Sequence, residues 1–516
     1  MHENTRRQES LPPTRRPASR ALSALALLLA LAAAAAAPAR AEVPHEVVLR
    51  ARQSVVEVEV ANSVALDREV TGSVVGTGFV VDAERGIVAT NRHVVGISPA
   101  QIRVTFHDGE STAARLLHYD AWHDFALIEL QREADARWTA NAAALGDSFA
   151  LRDQQELFLV GSNEGQEQSV KFGRVTNLTV NKGYRHSAAI QTSFDRTGGS
   201  SGSPVFDASG RVVALHTSGT NTTSFELRIE YVRDALEQIL ETGRVQRGEV
   251  GLELDLIQVA DARRATRLPD DVAARIAAAC GERKQAIHVK YVLPGSEADG
   301  LLRAGDVLVE VNGELVAGDL YRVDRGFDGR VGSTARVVVY RHGARLELDL
   351  PVADAEEAKV SRFARYAGGV FHELTPEMRR IIDYSGPGVF LSSAGPGTSM
   401  SDLAESRSDD EPASRLAVVE EVDGTPTPDL DAFLAVARRL EDGNDIQVIV
   451  RDFMYSGKAG VNQVTLDLSF EPLRAYRFDR VAGTWVDEKA SETTAAAPNA
   501  PTGAVESAGA DGGDGR

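Results

Sequence analysis

Seven consecutive residues, Gly198-Gly199-Ser200-Ser201-Gly202-Ser203-Pro204, carry almost no side-chain bulk and constrain the chain more than any other segment. Glycine on either side of Ser201 lets the backbone fold tightly behind one hydroxyl and reach conformations closed to bulkier residues. A turn of this kind presents a serine nucleophile, and it lets the amides of Gly199 and Ser201 point together at an oxygen that becomes negative during acyl transfer. A plain Ser/Gly turn has the same spelling, so the segment alone leaves both readings open.

A serine hydroxyl is a weak nucleophile at its own pKa and needs a base and a group to orient that base. Both are found upstream. Thr77–Asp82 and Gly86–Asn91 read as two strands of a hairpin, followed at once by Arg92-His93-Val94-Val95, so the hairpin delivers His93. In Asp120-Ala121-Trp122-His123-Asp124-Phe125-Ala126-Leu127-Ile128, Asp124 opens an apolar strand, where its carboxylate can accept from the His93 imidazole. His118 and His123 are rival bases, but strand alternation turns His123 to the other face, and His118 lacks the preceding Thr-Asn strand. Both are expected to be surface histidines.

From about Val47 to Leu240 short apolar strands alternate with turns such as His107-Asp108-Gly109 and Asp207-Ala208-Ser209-Gly210, the pattern of an all-β double barrel. Glu230–Glu241 reads as a closing helix with Val232, Leu236, Ile239 and Leu240 on one face. The Thr-Asn-x-His-Val-Val strand, the Asp-x-Ala-Leu-Ile strand and the Gly-x-Ser-Gly loop, in that order, resemble the trypsin-like serine proteases of the HtrA (Deg) family. The spellings His123-Asp124-Phe125 and Thr223-Ser224-Phe225-Glu226-Leu227 look most like its Nma111/Deg7-type branch. The resemblance implies a mainly β chain, a trypsin-like double barrel followed by PDZ-like α+β domains, with His93, Asp124 and Ser201 as catalytic residues and Gly199 and Ser201 as oxyanion hole. It implies no cofactor and no metal.

Arg247–Val352 resembles a PDZ domain of the HtrA type, through Val292-Leu293-Pro294-Gly295-Ser296-Glu297-Ala298, Gly300–Leu308 and Val311-Asn312-Gly313. Gly305-Asp306 and Asn312-Gly313 are turn pairs bracketing a short strand. By the resemblance Val250, Gly251 and Leu252 hold a peptide carboxylate while the peptide adds a strand to the sheet edge; an ordinary strand start is the alternative. A second, divergent PDZ-like unit spans about Phe363–Phe470, with Gly388–Leu391 and Val418–Gly424 echoing the same strands. There a polar stretch, Ser399–Ser414, replaces the expected Gly-Leu-x-x-Gly-Asp and reads as a solvated loop, which puts peptide binding by that unit in doubt.

Residues 1–41 combine arginines, an apolar Ala21–Ala37 run and Ala39-Arg40-Ala41, the three regions of a secretory signal. Cleavage after Ala41 is expected and a retained anchor is the alternative; the twin Arg15-Arg16 points to the Tat route. The expected divisions are a signal peptide (1–41), a protease domain (42–243), two PDZ-like domains (247–352 and 362–472) and a disordered Ala/Thr/Gly/Pro/Ser tail (488–516). A processed chain has no stable membrane span and is expected in the periplasm or outside the cell. The net charge is −19 overall and −23 without the six arginines and two glutamates of residues 1–41. That balance disfavours nucleic acid and anionic membrane as partners. A single cysteine, Cys280, excludes an internal disulfide and reads as a buried core thiol.

In this fold Asp195, Arg196 and His216 line the pocket for the residue before the cut. His216 resembles its counterpart in glutamyl endopeptidases and points to acidic substrates, Asp195 argues the other way, and the HtrA resemblance implies small aliphatic residues. HtrA relatives often form trimers through aromatic residues near the mature N-terminus. Glu42–Val60 contains no Phe, Tyr or Trp, which weakens that inference for a homo-oligomer. Two functions fit: an ATP-independent endopeptidase of the cell envelope acting on unfolded or C-terminal peptide substrates and regulated by its PDZ units, or a peptide-binding chaperone or stress sensor in which hydrolysis is secondary.

Overall fold

Twelve strands of the N-terminal half close into two barrels because each strand alternates a core-facing side with an outer one. The computed structural model describes residues 43–131, 138, 140–163, 166–182, 186–195, 197–404, 416–453, 457–480 and 482–489. Residues 1–41 and 490–516 lie outside them, so the expected signal and nearly all of the expected tail do too. The chain divides into Met1–Pro44 and His45–Arg516, and every element below belongs to the second unit.

Helix α1 (His45–Arg52) leads into the first barrel. Its strands are β1 (Val55–Asn62), β2 (Gly72–Asp82), β3 (Ile87–Thr90), β4 (Ala100–Thr105), β5 (Ser111–Asp120) and β6 (Phe125–Leu130), closed in the order β1-β2-β3-β6-β5-β4. The short helix α2 (Arg92–Val95) follows β3. The second barrel takes β7 (Glu156–Asn163), β8 (Gln166–Asn181), β9 (Ala188–Thr192), β10 (Pro204–Asp207), β11 (Val212–Gly219) and β12 (Ser224–Arg228), in the order β10-β11-β12-β9-β8-β7. Valines 56, 58, 60, 80, 88 and 104 with Ile128 fill the first barrel, and Leu157, Leu159, Ile190, Val205 and Val213 the second. Each such side chain contributes about 1.5–3 kcal/mol by leaving water. Helix α3 (Ile229–Thr242) closes the barrels and stops at Gly243, whose φ of 75° caps it in the left-handed region.

Next come β13 (Gly248–Glu249), β14 (Leu252–Gln258), α4 (Val259–Thr266), α5 (Asp270–Ala279), β15 (Gln285–Val292), β16 (Val307–Val311), β17 (Glu314–Leu315), α6 (Leu320–Asp328), β18 (Thr334–Arg341), β19 (Ala344–Pro351) and β20 (Ala353–Asp354). Their main sheet runs β14-β15-β16-β18-β19, with β13 paired to β20. Cys280, expected in the core, is half-buried and donates its thiol to the Gln285 carbonyl at 2.7 Å, because it caps the C-terminal end of α5 rather than lying on its inward stripe.

The last sheet has nine strands. Its elements are β21 (Arg362–Tyr366), β22 (Gly369–Glu373), α7 (Pro376–Ile382), β23 (Val389–Ala394), α8 (Ser401–Ala404), β24 (Ala417–Val422), β25 (Thr425–Pro426), α9 (Leu430–Ala437), β26 (Asp445–Asp452), β27 (Lys458–Thr465), β28 (Arg474–Asp479) and β29 (Thr484–Asp487). Hairpin β28–β29 extends the sheet past residue 472, pairing with β21. The stretch read as a solvated loop is partly core: Met400 and Leu403 are buried against this sheet on and beside α8, an apolar pair hidden among polar neighbours, while 405–415 lie outside the described residues. The mainly β double barrel with PDZ-like α+β units is the architecture expected from the sequence.

Candidate active site

The β2–β3 hairpin ends at Asn91, and α2 lifts His93 from it while Val94 and Val95 anchor the turn in the first barrel's core. His93 Nδ1 lies 2.8 Å from Asp124 Oδ2, and the His93 amide donates to Asp124 Oδ1 at 3.0 Å. One residue therefore engages both carboxylate oxygens. The pair is held from behind: Asn91 Nδ2 donates to the Asp124 carbonyl at 2.8 Å and the Asp124 amide to the Asp120 carbonyl at 3.1 Å. These bonds fix Asp124 at φ 58°, a left-handed conformation that few residues other than glycine, Asn and Asp adopt.

On the serine loop Gly199 and Gly202 have φ near 86° and 87°. A β-carbon on Gly199 would sit 2.4 Å from the Ser162 carbonyl oxygen, so glycine is required by contact as well as by φ. Thr77 stitches the loop to the first barrel: its amide donates to the Ser201 carbonyl at 2.8 Å and its hydroxyl to the Gly199 carbonyl at 2.9 Å. Among the described residues, nothing accepts from the Gly199 or Ser201 amide. Gly76 links the two halves of the site, for a β-carbon there would lie 2.7 Å from Val94, the neighbour of His93, and 3.3 Å from the Ser201 carbonyl oxygen.

The three expected pocket residues differ in fate. Asp195 is exposed and paired with Lys171 Nζ at 2.9 Å, a hydrogen bond that lowers its carboxyl pKa. Arg196 lies outside the described residues. His216 is buried on β11 opposite Glu226 of β12, with Nδ1 2.9 Å from Glu226 Oε2. Glu226 also accepts from Thr192 Oγ1 at 2.7 Å and from Ser224. The Glu226 carboxylate was missed in the sequence; the signal was its place one cross-strand register from His216. Val250, Gly251 and Leu252 are buried, and the Gly251 amide donates to Glu249 Oε1 at 2.6 Å.

His118 and His123, expected at the surface, are 6% and 4% exposed. His123 sits in the turn between β5 and β6 and not on a strand, so alternation did not place it, and later parts of the chain cover both histidines. Burial, reinforced by Lys359, drives the His118 pKa well down, so its imidazole is neutral. His123 is opposite in character: burial opposes its charge, yet the Asp120 carboxylate and hydrogen bonds to Asp120 and Asp324 raise its pKa. A second buried cluster flanks His93. Arg92 is paired with Asp67, whose amide donates to His372 Nε2 at 2.9 Å, while Arg68 reaches Glu377 at 3.4 Å.

Residues 76–215 match the trypsin-like peptidase domain and residues 358–443 the PDZ-like domain. Fold and site thus define a chain built on a trypsin-like peptidase domain followed by PDZ-like structure. The chain is similar to the Nma111 serine proteases, the branch that its motif spellings resemble. It is 30% identical over 461 residues to the pro-apoptotic serine protease nma111 of Aspergillus oryzae, an alignment that spans 87% of this chain and 44% of that protein. With the NMA111 of Meyerozyma guilliermondii it shares 28% over 417 residues, 79% of this chain and 41% of that protein. The chain therefore spans less than half the length of these relatives. Among solved structures, the HtrA-type protease AlgW with tripeptide aligns at a TM-score of 0.46 and 24% identity, covering 60% of this chain and 96% of that one. The fungal relatives overturn the expectation of a periplasmic or secreted protein, which rested on the composition of residues 1–41 alone. Among the described residues, no helix is long and apolar enough to cross a membrane.

Proposed function

We propose that the chain is an ATP-independent serine endopeptidase that cleaves unfolded or specific proteins through an acyl-enzyme, with its PDZ-like units binding peptides and regulating cleavage. The observation that carries this reading is the doubly bonded His93–Asp124 pair, with Nδ1 2.8 Å from the carboxylate. That bond leaves Nε2 as the basic nitrogen. Ser201 Oγ attacks the scissile carbonyl as His93 Nε2 takes its proton, and the amides of Gly199 and Ser201 receive the oxyanion. The amine departs with the proton from His93, and water repeats the sequence to free Ser201. No cofactor is needed for these steps.

His216 and Glu226 form the floor of the pocket for the residue before the cut, and Asp195 with its Lys171 partner forms part of the rim. The protease domain comprises 42–243, and the PDZ-like domains 247–352 and 362–472. Peptide capture by Val250, Gly251 and Leu252 requires the Glu249 carboxylate to leave the Gly251 amide, which it now occupies at 2.6 Å. A homo-oligomer is compatible with this reading.

The test is digestion of unfolded casein by wild type and Ser201→Ala, with cut sites read by mass spectrometry. Cleavage by wild type alone is expected, and the residues before the cuts report the pocket's choice. Undiminished cleavage by pure Ser201→Ala would remove the assignment; binding without cleavage by either would favour a peptide-binding chaperone.

A further inference from the structure

Asp324 lies on α6 of the first PDZ-like unit and is 4% exposed, inserted among groups of the barrels. Its Oδ1 is 2.8 Å from His186 Nε2, and its Oδ2 accepts from Tyr231 OH at 2.6 Å and stands 3.3 Å from His123 Nε2. The His123 ring stacks on Tyr231 with centroids 4.2 Å apart. On its other side Nδ1 lies 3.0 Å from Asp120 Oδ2, while Asp120 Oδ1 accepts the Trp122 and His123 amides at 3.0 and 2.9 Å. Arg247, the first residue of the PDZ-like unit, approaches Asp120 at 3.4 Å, Asp328 at 3.2 Å and His123 Nδ1 at 3.1 Å.

The residue after His123 is Asp124, strained at φ 58° and bonded through its amide to the Asp120 carbonyl. The five-residue turn Asp120–Asp124 is thus gripped at its middle by one carboxylate from its own strand and one from another domain. We propose that Asp324 is a positioning residue for proteolysis: through His123 it holds the Asp120–Asp124 turn in the conformation that aims Asp124 at His93. The inference rests on the protease reading above. Asp324 touches neither substrate nor the reacting atoms. Withdrawing α6 leaves His123 buried with one carboxylate in place of two, and the turn loses the contact that fixes its imidazole. A small displacement of Asp124 then rotates the His93 ring away from the serine, which lowers turnover while leaving substrate contacts intact.

The test uses the full chain. Wild type, Asp324→Asn, Tyr231→Phe and Tyr321→Phe are compared for labelling of Ser201 by a fluorophosphonate and for kcat and KM on a fluorogenic casein peptide. Tyr321 is on the same helix and donates to Asp234 at 2.7 Å, so Tyr321→Phe loosens the same junction without touching His123. Asp324→Asn is expected to lower kcat and labelling rate about 10- to 100-fold with KM within about twofold, and Tyr321→Phe to leave both within about twofold. Tyr231→Phe, which deletes one donor to Asp324, is expected to lower kcat several-fold. If Asp324→Asn shows no cooperative thermal transition, Tyr231→Phe decides in its place. An unchanged kcat in the deciding variant, a rise in KM alone, or an equal loss in Tyr321→Phe overturns the inference. Wild type that folds but neither labels nor cleaves removes the protease reading, and this inference falls with it.

Discussion

Gly202 presses its α-carbon against the backbone of Thr77 so closely that a β-carbon would fall 1.9 Å from the Thr77 carbonyl oxygen and 2.5 Å from Thr90 Oγ1. Neither atom can yield, because Thr77 belongs to a closed barrel. Gly202→Ala is therefore expected to displace the serine loop and abolish turnover. Active-site labelling of the purified variant checks this; a labelling rate equal to that of wild type would show the contact to be irrelevant.

Thr77 itself bridges the barrels, accepting from the Ser162 amide at 2.9 Å while donating to Gly199. Thr77→Val keeps its shape and orphans a buried amide and a carbonyl. The expected cost is about 1–3 kcal/mol in urea unfolding, with a larger proportional loss in kcat than in KM.

Asp124→Asn preserves size but presents an N–H where His93 needs an acceptor. Its expected effect is a fall in kcat of roughly 10⁴-fold at neutral pH, with little change in thermal stability. Steady-state kinetics on an unfolded substrate read this directly, and retention of more than a tenth of the wild-type rate would remove Asp124 from its role.

The Glu377 carboxyl is pushed by burial, against the pull of Arg92, up to about 7 from an ordinary 4.5. Between those values the folded chain binds a proton that the unfolded chain has released, so this group's contribution to stability falls as pH rises through the window. Urea midpoints across about pH 5 to 8 should show that slope in wild type and a flatter one in Glu377→Gln. Equal slopes would mean that another group governs it.

Glu226→Gln leaves His216 facing a neutral amide in a wholly buried site. Weakening the buried hydrogen bonds that the carboxylate accepts from His216, Thr192 and Ser224 is expected to destabilise by about 1–3 kcal/mol and to alter the residues found before the cuts. Cut-site profiling by mass spectrometry checks the second expectation; an unchanged profile would take Glu226 and His216 out of specificity.

The His93–Asp124 pair and the glycine turn around Ser201 were legible because each announces itself through neighbours a few residues away: a hairpin end, a strand start, a run of glycines. The PDZ-like units were legible for the same reason, through turn pairs such as Gly305-Asp306. His118 and His123 were misjudged because their burial depends on segments more than a hundred residues later, and no local period carries that information. Met400 and Leu403 show the same limit within a polar stretch. Glu226 required knowing the register of β11 against β12, which bulges after His216.

Arg92 and His123 each immediately precede a residue of the His93–Asp124 pair, and each is tied to a partner outside the first barrel, through Asp67 and His372 in one case and Asp324 in the other. The barrels are consequently not a portable cassette. A chimaera joining 42–243 to foreign PDZ-like domains would keep Asp67 beside Arg92 and Asp120 beside His123 but lose the outer partners His372 and Asp324, and the loss would begin one peptide bond from His93 and Asp124.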